Sequence, residues 1–152
     1  MSKGTWSLLA GLVVLALSSG MALAAGPIQT QMGMAGDVEV DVAKAAVQEG
    51  VLTVVLAYRN NGKKRFDVSV TVGDTYYLDD VEKKKFHVLR DSKDEWIAAP
   101  IPDHDRLHVQ FSVRPGEKKA VWFKFPAPPD KAKTVNLVVP GVLPFEKLPV
   151  SR

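Results

Sequence analysis

The stretch VLTVVLAYRN-NGKK-RFDVSVTV, residues 51–72, decides the fold. In its first arm Leu52, Val54, Leu56 and Tyr58 fall on one side. In its second arm Phe66, Val68, Val70 and Val72 do the same, opposite Arg65, Asp67, Ser69 and Thr71. Successive side chains of a strand point to opposite faces, so a period of two marks two half-buried β-strands. Asn61-Gly62 between them tolerates positive φ, and the arms are expected to pair as a β-hairpin through a loop longer than the tightest two-residue turn.

The flanks repeat the pattern. Upstream, Val38, Val40 and Val42 alternate within residues 37–43 and predict the first strand; a helical turn over 42–49 is the competing reading, but Gly50 stops it. Downstream, residues 75–78 and 86–89 predict a second hairpin, and Leu107, Val109, Phe111 and Val113 a further strand. Arg114-Pro115-Gly116-Glu117 has Pro and Gly at the central positions of a type II turn, which predicts another hairpin into residues 118–125. Pro126, Pro128 and Pro129 cannot join a central ladder, and residues 135–139 and 143–150, separated by Pro140-Gly141, supply the last strands. About seven or eight short strands with a turn every ten or so residues predict an all-β chain, an antiparallel β-sandwich.

Residues 1–25 read as a targeting segment: Lys3, then an apolar run over 8–17 broken by Gly11, then Ala22-Leu23-Ala24 as a small-x-small site, with cleavage expected near Ala24/Ala25. The run is half of what a membrane-crossing helix needs, so a cleaved signal peptide is expected and no transmembrane span after it. Residues 26–36 have no period and are expected to be a flexible leader, which leaves 37–152 as the β-sandwich domain. Lys3 is the only charge in the segment, so its loss lowers the formal net charge of +3 by one, too little to imply a nucleic-acid partner. With Cys 0, the exported chain must be held by its core alone, and no lipid can be attached at the cleavage site.

Three stretches carry a likeness: YYLDDVEKKKFHVLRDSKDEWIAAP at 76–100, RPGEKKAVWFKFPAPP at 114–129 and VPGVLPFEKLPV at 139–150. Together they resemble poorly characterised bacterial exported domains of immunoglobulin-like β-sandwich type, a domain of unknown function. The resemblance implies an uncharacterised sandwich of the periplasm or the cell exterior. It brings no activity and no site residue.

Geometry limits the motifs that could carry chemistry. His104-Asp105-Arg106-Leu107-His108 has the two-histidine spacing of zinc proteases, but between Pro102 and a strand the segment is extended, and four residues then span roughly 13 Å, too far for one ion. A copper carrier would instead gather His104 and His108 with Met32 and Met34, since imidazole and thioether suit Cu(I). Asp79, Asp80 and Glu82, or Asp91, Asp94 and Glu95, lack the spacing of a calcium loop and read as solvated turns. Lys83–Lys85 and Lys63-Lys64-Arg65 read as solvated turn charges too, and there is no Gly-x-Ser-x-Gly or phosphate-cradling glycine loop. Trp96 and Trp122 are expected to pack on the core or a sheet face; an exposed one would be the first candidate binding surface. The expectation is a non-catalytic exported module for protein interaction or envelope structure, with no cofactor, whose partner is an envelope or extracellular protein; the alternative is a periplasmic carrier of metal or a small ligand.

Overall fold

A computed structural model describes residues 26–152. The targeting segment at 1–25 lies outside the described residues. Within them the chain is all-β, with eleven strands in place of the seven or eight expected, and its sheets are antiparallel.

The tight hairpin of the fold lies one strand earlier than expected. β2 (Val38–Gln48) and β3 (Val51–Asn60) are joined by Glu49 (φ 49°) and Gly50 (φ 77°), with Gln48 opposite Val51. Two successive positive φ values define the type I′ connection, whose twist matches that of the strands it joins. β3 therefore has β2 on one side and β9 (Lys118–Pro126) on the other. β4 (Phe66–Thr71) does not pair with it and belongs to a separate two-stranded ribbon with β8 (His108–Val113). Alternation fixes which side chains face the core but not which strands are neighbours. The deciding contacts are those of Asn60, 1 % exposed: its amide donates to the carbonyls of Lys64 (2.8 Å) and Val113 (2.9 Å), and its side-chain oxygen accepts from Gly62 N–H. These bonds brace residues 61–65, which carry the chain from the five-stranded sheet to the ribbon.

β2 also explains its own helical look. Val42 faces Leu56 but Lys44 faces Val55, so Ala43 is an extra residue, a β-bulge. The buried set switches from Val38, Val40 and Val42 to Ala45. A one-residue phase change gives apolar spacing of three, which imitates a helix turn.

Residues 26–36, expected to be a flexible leader, contain a strand. β1 (Gln29–Met32) pairs along Val42 to Glu39 of β2. Its inward positions are glutamines, so no apolar alternation marks it. Gln29 and Gln31 donate from their side-chain amides to the main-chain carbonyls of Glu146 (3.3 Å) and Pro144 (3.0 Å), on β11 (Phe145–Pro149) and just before it. With β7 (Ala98–Ala99) at the far side, the five-stranded sheet runs β1-β2-β3-β9-β7.

β5 (Tyr76–Asp79), β6 (Lys84–His87) and β10 (Thr134–Val138) complete a four-stranded sheet of order β11-β10-β5-β6, which contains the predicted β5–β6 hairpin and pairs the last two strands, β10 and β11, antiparallel. The turn at 114–117 forms as expected, with Gly116 at φ 74° and Glu117 N–H donating to Arg114 O. It carries the chain from the ribbon to the five-stranded sheet, however, so β8 and β9 are not a hairpin. The inward side chains of all three sheets share one core, with Tyr77, Phe123, Phe125 and Phe145 its largest fully buried members. Tyr77 stacks on Phe86 (4.9 Å), meets Phe125 edge-on (5.6 Å) and donates its hydroxyl to Pro126 O. No helix among the described residues is long and apolar enough to cross a membrane.

Candidate functional site

The β4–β8 ribbon carries a row of polar side chains. Register places Asp67 opposite Ser112, Ser69 opposite Gln110 and Thr71 opposite His108, so six polar side chains share its outer face. Arg65 and Ser112 both donate to Asp67; these two hydrogen bonds, Arg65 first, hold its carboxyl below the usual range. Residues 100–106 rise beside the ribbon. Asp105 accepts from His108 Nδ1–H (2.8 Å), Gln110 (2.7 Å) and Leu107 N–H (2.9 Å), and the His108 bond is the main reason its carboxyl stays charged below the usual range. A shallow cleft of about 420 Å³ lies between His104, Pro102 and the ribbon.

The sequence-predicted residues fall in three places. His108 is tied to Asp105, and His104 lines the cleft; the segment between Pro102 and β8 is not extended as expected but turns, with Asp105 N–H donating to Pro102 O and Leu107 N–H to the Asp105 carboxylate. Met32 and Met34 sit at the end of β1, where Met32 O accepts from Leu143 N–H and Met34 N–H donates to Gly141 O. His108 thus opens β8, His104 lies in the loop before it, and Met32 and Met34 lie at the end of β1 beside Gly141 and Leu143. Among the described residues, no three His, Cys, Asp or Glu side chains converge for a metal. Trp96 is half-buried against the core, with the Arg90 guanidinium 3.8 Å above its ring and Gly73 beneath its edge. Trp122 is half-buried on the outer face of the five-stranded sheet, between Val55 and Ala99. Neither tryptophan is exposed enough to make a platform by itself.

The ribbon's free edge is a feature that no residue motif marks. Val72 N–H donates to Leu107 O, the next rung beyond Thr71 and His108, so the even-numbered residues of β4 direct their main-chain groups at β8. Gln110 N–H, opposite Ser69, turns away from β4 to donate to Pro100 O, as that pattern requires. The odd-numbered residues Asp67, Ser69 and Thr71 therefore direct N–H and C=O outward. Thr71 O takes the Thr75 hydroxyl (3.1 Å); no described residue hydrogen-bonds to the main chain of Asp67 or Ser69. The other edges are managed. β6 is four residues long with Lys84 and Lys85, β7 is two residues, and β1 and β11 are laced together by Gln29 and Gln31. β4 spans six residues with no proline, lysine or bulge. No protein-family model, curated protein or solved structure matches the chain.

Proposed function

We propose that this chain is an exported, non-catalytic β-sandwich of immunoglobulin-like type that works as a protein-interaction module of the bacterial periplasm or cell exterior. The observation that carries the reading is the unguarded edge of β4. A row of outward N–H and C=O groups binds extended peptide main chain, and the alternate side chains on the strand supply selectivity. The signal-peptide pattern at 1–25 and the absence of cysteine support the location.

The test is crosslinking in the exporting cell, with a photo-reactive residue placed at Ser69 and, as a comparison, at Ser92. Capture from position 69 and not from 92 supports the module. Equal capture from both positions, or none from either, overturns it.

A further inference from the structure

The outer edge of β4 is compatible with itself. We propose that two copies of this chain pair antiparallel through β4, about a two-fold axis at Ser69, to form a continuous β8-β4-β4-β8 sheet across the dimer. The proposal rests on the interaction reading above and names the partner as a second copy.

The register follows from which groups are free. Antiparallel partners share a face only when residues of the same parity stand opposite, and only odd-numbered residues of β4 direct main-chain groups outward. An axis on Asp67 would set two carboxylates face to face, which destabilises a cross-strand pair. An axis on Ser69 removes that conflict. Ser69 then faces the partner's Ser69, and Asp67 faces the partner's Thr71, whose hydroxyl can donate to the carboxylate; the ladder stops there, because β4 ends at Thr71 and Val72–Asp74 form a 3-10 turn. On the core side Val68 faces the partner's Val70. The outward groups free to pair are the N–H and C=O of Asp67 and Ser69 and the N–H of Thr71 on each copy; the Thr71 carbonyl also accepts the Thr75 hydroxyl. No like charges meet, and the same surface serves both copies, as a closed two-fold interface requires.

A hydrogen-bonded antiparallel pair brings Cα atoms to about 5.5 Å, within the span of a disulfide. The natural chain has no cysteine, so a single introduced thiol reports the axis directly. Two variants of the purified protein test the pairing. In Ser69→Cys, mild oxidation should give a covalent dimer at least about tenfold faster than in a control variant, Ser92→Cys. In sedimentation velocity the unsubstituted protein should dimerise reversibly, and Ser69→Lys, which sets like charges across the axis at an exposed position, should weaken dimerisation by at least about fivefold. Retained far-ultraviolet circular dichroism of Ser69→Lys shows that the fold is intact. A protein that stays monomeric at high concentration, or a dimer indifferent to Ser69→Lys, overturns self-pairing. In that event, capture of an extended segment of another protein from position 69 leaves the interaction reading standing, and absence of any capture there removes both.

Discussion

At the residue scale, two buried polar groups make opposite cases. The hydroxyl of Tyr58, on a side chain 3 % exposed, is the one buried side-chain polar atom without a hydrogen-bond partner among the described residues, and burial pushes its pKa up. Its ring is held edge-on to Phe111 at 5.2 Å, a contact that needs no oxygen. An unpaired buried hydroxyl carries a desolvation cost of about 1 kcal/mol or more, so Tyr58→Phe is expected to leave stability unchanged or raise it by about 1 kcal/mol in urea denaturation. A loss of more than that would show that the hydroxyl has a partner. Asp41, 2 % exposed, is the converse. Burial acts to raise its pKa, but the Thr30 hydroxyl (2.7 Å) together with Arg59 and Lys118 outweighs it and holds the carboxyl below the ordinary 3.8. A carboxyl with a depressed folded-state pKa contributes stability above its unfolded value and loses it as pH falls through the folded one. Stability should therefore fall below about pH 4, and Asp41→Asn should be less stable by about 2 kcal/mol at pH 7 while showing a shallower acid decline.

At the element scale, the β2–β3 turn is built with an imperfect residue. Glu49 holds a left-handed φ of 49°, a conformation in which asparagine is far commoner. Glu49→Asn should raise stability by about 0.5 kcal/mol, read as an increased denaturant midpoint with unchanged slope. The same turn shows where reading the sequence succeeds and fails. Alternation in residues 51–60, 66–72 and 118–125 identified strands and their inward faces, because burial dictates that pattern. Pairing partners were not legible: Asn61-Gly62 advertises a turn, while the turn that closes a hairpin is Glu49-Gly50. β1 was invisible because its work is done by glutamine amides. The same holds for the candidate site. Histidines and methionines are conspicuous as residue types, but an open edge is a property of the sheet order, and no residue type announces it.

At the scale of the whole molecule, Asn60 is a buried polar tie between the five-stranded sheet and the ribbon. Its three side-chain hydrogen bonds reach the crossover loop and the end of β8 from the end of β3. Asn60→Ala leaves the carbonyls of Lys64 and Val113 without that donor, and the expected cost is about 3 kcal/mol, measured by thermal or urea unfolding. Asn60→Asp should not rescue it, since a carboxylate cannot donate. Loss of less than about 1 kcal/mol would show that Asn60 does not tie the sheet to the ribbon.

The two neighbours of β3 stand at very different distances along the chain. β2 is reached through two residues, whereas the rungs from Val51 with Pro126 to Arg59 with Lys118 close loops of about sixty residues or more. A hairpin of the first kind forms in microseconds; a ladder of the second kind waits on chain diffusion and sets the clock. Folding is thus expected to begin from a quick local template that idles until residue 118 and beyond are available. Stopped-flow kinetics would show it: Phe123→Leu should slow folding, whereas Gln31→Ala, which loosens the lacing of β1 to β11, should mainly hasten unfolding. Until β9 arrives, β3 itself offers a bare flank, and that interval is when the young chain is most open to the wrong neighbour.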